Sequence, residues 1–242
     1  MSFISRIIKP QSTSCSVVIV AAGSSSRMNG TDKIFYEIGG LPLLAHTIQV
    51  FEQSSSANEI IVVTKEDMIE QVRQLCAQHG FVKVADVVAG GKTRTESVMK
   101  GLDHVCANTA YAAIHDGARP FVTTEIFEDT LEKAKKYHAA APAIPVKDTI
   151  KTVSNHIVTG TPDRASLFAV QTPQIFDFDL LRGALTKAMK THTPVTDDCS
   201  AVEAIGMSVY LTDGNDENIK ITTPSDLLFA QAIWERRQSQ CE

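Results

Sequence analysis

The order of its secondary-structure signals constrains this chain most. From residue 16 to residue 145, short apolar runs alternate with segments of helical spacing. The runs fall at 16–22 (SVVIVAA), 59–63, 84–88, 111–115 and 139–145, and the helical segments at 41–52, 67–80, 93–105 and 124–136. A half-buried strand alternates apolar and polar residues. These runs are apolar nearly throughout, which predicts strands covered on both faces. Repeated strand–helix–strand units of this length predict an α/β chain with a doubly wound, mostly parallel, twisted sheet. The 242 residues suffice for one large α/β domain or two small ones, and either buries a core without staples. The chain shows no linker or low-complexity tract, so a single domain over 1–242 is expected.

After residue 145 the pattern changes. Residues 148–176 hold short β-like pieces around a Ser154-Asn155-His156 turn, which predicts a protruding β-arm. A two-stranded hairpin is marginal alone, so the arm is expected to pack against something else, such as a second subunit. Helices are expected at 179–190, 198–204 and 224–237, and a strand at 209–213. Residues 1–15 read as a leader whose apolar side chains are broken by Arg6 and Lys9, so they form no signal-peptide core. No apolar stretch approaches the roughly 18 residues of a membrane helix. Five cysteines without a C-x-x-C pair argue against a disulfide framework and a structural zinc, and suit a reducing, cytoplasmic setting. Lys and Arg number 23 against 28 Asp and Glu, a net charge of −5. Duplex nucleic acids need a surplus of cations to replace counterions, whereas small anionic molecules need only a local basic pocket.

Five places carry candidate chemistry. The first strand runs into Ala21-Ala22-Gly23-Ser24-Ser25-Ser26-Arg27, with Lys33 beyond. Small side chains let backbone N–H groups approach phosphate oxygens, and the two cations suit a triphosphate. Neither G-x-G-x-x-G nor a Walker G-K-[ST] is present. Gly90-Gly91-Lys92-Thr93-Arg94-Thr95-Glu96-Ser97 opens a helix at the carboxyl edge of the sheet, where α/β ligands bind; it equally fits a glycine turn with a helix cap. His115-Asp116-Gly117-Ala118-Arg119-Pro120 ends a strand in an acid and a base. Asp116 there suits Mg²⁺ or a ribose, or else pairs with Arg119 at the surface. Asp148-Thr149 and Arg164 on the arm, with Thr196-Asp197-Asp198, offer hydroxyls and a guanidinium fork for a phosphomonoester. Lys220, in Asn218-Ile219-Lys220-Ile221-Thr222, is placed to face the same edge. The histidines show no metal or triad spacing. His115 alone lies inside a motif, where it either holds the strand end or acts as a base.

In this order, A-A-G-x-x-x-R-M with a following Lys, G-G-x-x-R-x-x-S, H-D-G-A-R-P, P-V-x-D-T, D-R-x-x-L with Q-T-P-Q-x-F, T-D-D and N-I-K-I-T-x-P-x-D span about 16 to 232. The set resembles the 2-C-methyl-D-erythritol 4-phosphate cytidylyltransferase family. The resemblance implies a homodimeric Rossmann-like nucleotidyltransferase with an exchanged β-arm, using CTP and Mg²⁺ and releasing pyrophosphate. Carried onto this sequence, it implies Arg27 and Lys33 as transition-state stabilisers and Lys220 as a phosphate contact of the same site. It implies Ala21, Ala22, Gly23, Ser25, Gly91, Arg94 and Ser97 around cytidine and triphosphate. Asp116, Gly117 and Arg119 lie between nucleotide and acceptor, with Thr149 and Arg164 delivered from a partner's arm and Thr196 nearby. A related polyol-phosphate cytidylyltransferase, acting on ribitol 5-phosphate for example, is the alternative. The residues themselves point the same way. A phosphomonoester with a second pKa of about 6 is a dianion at neutral pH and needs no general base. It needs cations that bring two polyanions together.

Overall fold

A computed structural model describes residues 13–23 and 33–240. In chain order the elements are β1 (Cys15–Val20), β2 (Glu37–Ile38), β3 (Leu41–Pro42), α1 (Leu43–Gln53), β4 (Glu59–Thr64), α2 (Ile69–Gln78), β5 (Val84–Ala89) and α3 (Arg94–Leu102). There follow β6 (Tyr111–Asp116), α4 (Thr124–Tyr137), β7 (Ala139–Pro145), β8 (Thr152–Ser154), β9 (Ile157–Gly160), β10 (Phe168–Val170) and β11 (Gln174–Asp177). The chain ends with α5 (Phe178–Thr191), α6 (Asp198–Glu203), β12 (Tyr210–Asp213) and α7 (Pro224–Ser239). Among the described residues no helix is long and apolar enough to cross a membrane.

The central sheet runs β5-β4-β1-β6 in parallel, then takes β11 antiparallel between β6 and β7. β12 pairs parallel with β7. Val17 and Ile19 of β1 point to one side with α1, α2 and α4, and Val18 to the other with α3, α5 and α6. Both faces are thus covered, as the unbroken apolar runs predict. A third cluster joins α7, through Ala230 and Trp234, to Ile38 and Leu43. The helices start where their caps dictate. The Thr93 hydroxyl accepts from the Glu96 N–H, Thr123 from Ile126, and Asp177 from Asp179 and Leu180.

The predicted strands and helices are present, with ends shifted by a few residues. Two expectations change. Cys15, assigned to the leader, is the first residue of β1 and is buried; residues 1–12 lie outside the described residues. The segment read as an arm, 148–176, divides. Only β8 and β9 stand apart as a two-stranded sheet, while β10 and β11 run antiparallel along β7 and belong to the central sheet. Short polar breaks conceal from the sequence that 168–177 is one interrupted strand. The β2–β3 hairpin is also absent from the sequence reading, because two-residue strands leave no periodicity.

The order places β1 and β6 side by side while their chains leave in opposite directions, β1 toward β4 and β6 toward β7. Open α/β sheets form their ligand crevice at such a reversal.

Close packing of α3 on the sheet gives a test of this layer. A Cβ on Gly101 would stand 2.4 Å from Val18 Cγ1 and 2.9 Å from Val63 Cγ2. Ala in a helix gains about 1 kcal/mol over Gly by propensity, while overpacking costs about 1–3 kcal/mol. Gly101→Ala is therefore expected to lower stability by about 1 kcal/mol in urea unfolding. A stabilised variant would show that α3 moves off the sheet freely.

Candidate functional site

The carboxyl ends of β1, β5 and β6 enclose a cleft of about 330 Å³. Ala21, Ala22, Gly23, Lys33, Gly91, Lys92, Arg94, Ser97, Asp116 and Lys220 line it. Two glycines let the turns after β5 and β6 close on the turn after β1. A Cβ on Gly90 would lie 2.5 Å from Ala22 Cβ, and one on Gly117 3.0 Å from Ala21 Cβ. The Ala21 N–H donates to Val63 O and the Gly117 N–H to Val20 O, which pins the turns to the sheet.

Asp116 is the centre of charge. Lys220 Nζ is 2.8 Å from Oδ2, Arg119 Nε 3.5 Å from the same oxygen, and Arg94 Nε 3.9 Å from Oδ1. Burial alone would raise the Asp116 pKa, but Lys220 and then Arg94 outweigh it and hold the carboxyl at about 2. Two of these cations are anchored elsewhere too. Arg94 Nη2 lies 2.7 Å from Oδ2 of the buried Asp198, and Arg119 Nη1 donates to Asn218 O at 2.6 Å. Burial pushes the Asp198 carboxyl up in spite of Arg94. Lys33 Nζ donates to Ile221 O at 2.9 Å, so it faces the cleft beside Lys220.

His115 sits under this cluster and is fully buried, edge-on to Phe51. Its Nε2 lies 3.2 Å from Arg119 O, an acceptor only, so Nε2 carries the proton. Nδ1 then accepts from the Thr172 hydroxyl at 3.0 Å, and that hydroxyl accepts the Asp116 N–H at 3.1 Å. Burial lowers the His115 pKa to about 4. Of the two sequence readings, holding the strand end is the one this geometry supports.

Other predicted residues are placed as follows. Ser97 Oγ accepts the Gly91 N–H and donates to Thr93 O, leaving one acceptor lone pair for a base donor. Gly117 does not itself line the cleft but packs against Ala21, which does. Thr149 and Arg164 are exposed and do not line the cleft; Arg164 Nη1 donates to Lys147 O. Thr196 is exposed at the start of α6, its N–H bonded to Ser200 Oγ. Ser25 and Arg27 lie outside the described residues.

The sequence reading did not single out Asp198 as the partner of Arg94, nor Lys92 as part of the lining. An acid in the first turn of a helix is ordinarily a solvated cap, so Asp198 gives no signal of its burial. Gln171, Gln174 and Asn218 were seen as motif letters without roles. Gln171 Oε1 accepts from Asn215 N–H and Asn218 Nδ2, while Gln174 Oε1 accepts the N–H groups of Asp198 and Cys199. They stitch the walls of the cleft together.

A sequence model of the 2-C-methyl-D-erythritol 4-phosphate cytidylyltransferase family matches residues 15–236. A curated protein of that name from Halalkalibacterium halodurans is 47% identical over 219 residues, covering 90% of this chain and 96% of its own. Its namesake from Bacillus licheniformis is 42% identical over 220 residues, covering 90% and 95%. Among solved structures, 4-diphosphocytidyl-2C-methyl-D-erythritol synthase from Anaerococcus prevotii is similar with a TM-score of 0.83 and 30% identity, covering 92% of this chain and 96% of that one. The 2-C-methyl-D-erythritol 4-phosphate cytidylyltransferase of Thermus thermophilus is similar with a TM-score of 0.74 and 32% identity, covering 92% and 99%.

The buried histidine makes a signed prediction. A folded pKa near 4, below the unfolded value of about 6.5, means the unfolded chain binds the proton first. His115 should therefore cost stability progressively as pH falls from about 6.5 to 4, by on the order of 3 kcal/mol in all. His115→Gln should flatten this part of the stability curve in chemical denaturation. An unchanged slope would show that His115 is not held neutral.

Proposed function

The chain belongs to the 2-C-methyl-D-erythritol 4-phosphate cytidylyltransferase family, and on that premise we propose how the cleft at Asp116 carries out the reaction. The enzyme transfers CMP from CTP to 2-C-methyl-D-erythritol 4-phosphate and releases pyrophosphate. The ribitol 5-phosphate alternative is not favoured by relatives at this identity.

The convergence of Arg94, Arg119 and Lys220 on one ionised carboxylate, with Lys33 lining the same cleft, carries the mechanistic reading. In this reading the acceptor phosphate dianion attacks the α-phosphorus of CTP in line, and pyrophosphate leaves. Charge spreads over the phosphoryl oxygens, so stabilisation comes from positioned cations. Lys33 and Arg27 serve the triphosphate; Lys220 lies between the two phosphates. The turns at 21–23 and 90–91 receive the nucleotide, with the free lone pair of Ser97 for the cytosine amino group. His115 is a scaffold and takes no proton from substrate.

Asp116 is a suitable protein ligand for Mg²⁺. Among the described residues no three His, Cys, Asp or Glu side chains are grouped to hold a metal alone. One ionised carboxylate plus substrate phosphates is how Mg²⁺ is commonly held. When bound, the ion neutralises triphosphate charge. Direct titration of Mg²⁺ without CTP is therefore expected to give negligible heat, with binding appearing once CTP is present. Tight binding to the free protein would place the metal elsewhere.

The acceptor's remaining contacts, Thr149 and Arg164, lie off their own chain's cleft. Residues 147–170 are exposed except for half-buried Gly160, Pro162 and Leu167, and they carry Ile150, Val153, Ile157, Val158, Phe168 and Val170 at the surface. A homodimer in which each arm completes the partner's site accounts for both facts.

Arg27→Ala and Lys33→Ala are each expected to lower kcat at least about a hundredfold, roughly 2.7 kcal/mol, with folding intact. Near-normal turnover in either would remove that residue from the transition state. Mixing inactive Lys33→Ala with inactive Arg164→Ala should restore part of the activity, because one hybrid site then carries neither change. Absence of recovery after demonstrated subunit exchange would mean that the arm serves its own chain.

A further inference from the structure

Helix α7 is apolar on two sides. Leu227, Ala230, Ile233 and Trp234 pack inward on the Ile38–Leu43 cluster. Leu228 and Phe229 point away from it, 76% and 63% exposed. A helix with apolar residues around its circumference belongs between two surfaces, and among the described residues α7 has one. Its position narrows the choice of the second. The Asp226 carboxylate accepts the N–H groups of Thr222 and Thr223, so the first turns of α7 are fastened directly behind the segment that carries Lys220. An arm that brings Arg164 and Thr149 of a second copy to an acceptor beside Lys220 therefore ends next to the first turns of α7. The arm has the matching character. It presents four exposed apolar side chains, Ile150, Val153, Ile157 and Val158, with Phe168 and Val170 exposed at its root, and residues 147–170 are about the 20–30 residues of one side of a standard interface.

We propose that Leu228 and Phe229 form the seat for the β-arm of a second copy of this chain, so that α7 fixes how far the arm's Arg164 enters the neighbouring cleft. The inference rests on the exchanged-arm reading above and extends it to a particular surface. Docking of the arm buries Leu228 and Phe229 under its apolar side chains and lays its root against Lys220. Activity then depends on α7, although Leu228 and Phe229 touch no substrate.

The test uses the full chain with p-benzoylphenylalanine at position 229, mixed and exchanged between isotopically heavy and light protein. Irradiation is expected to give heavy–light cross-links that map to residues 147–170. Cross-links to any other segment, or none from a protein that sedimentation shows to be dimeric, would overturn the seat while leaving the exchanged arm standing. A fully active monomer would overturn both. In parallel, Leu228→Asp with Phe229→Asp, changes at exposed positions, should weaken the dimer at least tenfold in sedimentation equilibrium. They should also raise the KM for the polyol phosphate, leaving the Kd for CTP within about twofold. The milder Leu228→Ala with Phe229→Ala should fall between. Wild-type dimer affinity and KM in the Asp variant would refute the proposal.

Discussion

The buried carboxylate of Asp116 is the constraint around which the cleft is organised. A buried charge is tolerated only with partners, and removing one partner leaves the rest uncompensated. Here the partners arrive from three separate pieces of chain: Arg94 from the start of α3, Arg119 from the turn after β6, and Lys220 from the segment before α7. One acid keeps three cations close that would otherwise repel one another. Anchoring of Arg94 on Asp198 and of Arg119 on Asn218 O stops the cluster from collapsing onto Asp116 alone. The arrangement is therefore set by the fold, and in the proposed reaction an arriving phosphate would meet cations whose reorganisation cost is already met by folding.

What holds these pieces in register is the run Gln171-Thr172-Pro173-Gln174, which joins β10 to β11. Thr172 O accepts from Asn218 Nδ2, and its hydroxyl connects the Asp116 N–H to His115. Gln174 holds the start of α6 and so Asp198. A substitution in this run would disturb Asp116, Lys220 and Arg94 together, although none of its side chains lines the cleft. The same run is the exit from the arm, so the geometry at the root of the arm and the geometry of the chain's own cleft are parts of one hydrogen-bonded unit.

Legibility in the sequence follows the range of the interactions. The parallel sheet was readable because each βαβ unit is local and its apolar runs are unbroken. Helix starts near 93 and 124 were readable, and in the structure Thr93 and Thr123 cap them over three residues. The cleft residues Gly91, Arg94, Asp116 and Lys220 were readable as motifs, and the doubly wound order explains why turns so far apart in sequence share one edge. Pairings between distant segments left no local sign. Asp198 looks like a solvated helix cap and is a buried counterion. Residues 168–177 look like part of a hairpin and lie antiparallel to β7. His115 was ambiguous because its role depends on Thr172, 57 residues away. Leu228 and Phe229 are ordinary letters in a helical pattern, and only the position of the inward face shows them to be in excess.

The cluster also bears on why the proposed mechanism dispenses with a base. Cations within a few ångströms favour the more charged form of a phosphate, just as Lys220 and Arg94 hold Asp116 near 2 against its burial. In the proposed mechanism an acceptor bound beside Lys220 would thus be kept as a dianion below its solution pKa of about 6, and the nucleophile would be ready without proton transfer to the protein. A basic side chain at the same place would compete for the field of those cations and would itself be driven to lose its proton. His115, beneath the cluster, already behaves so: burial, with Arg119 and Lys220 in the same direction, keeps it neutral despite Asp116 beside it. In the proposed mechanism these cations activate the acceptor, while burial, with Arg119 and Lys220 acting in the same direction, excludes His115 as a base and leaves it the scaffold role that its hydrogen bonds describe.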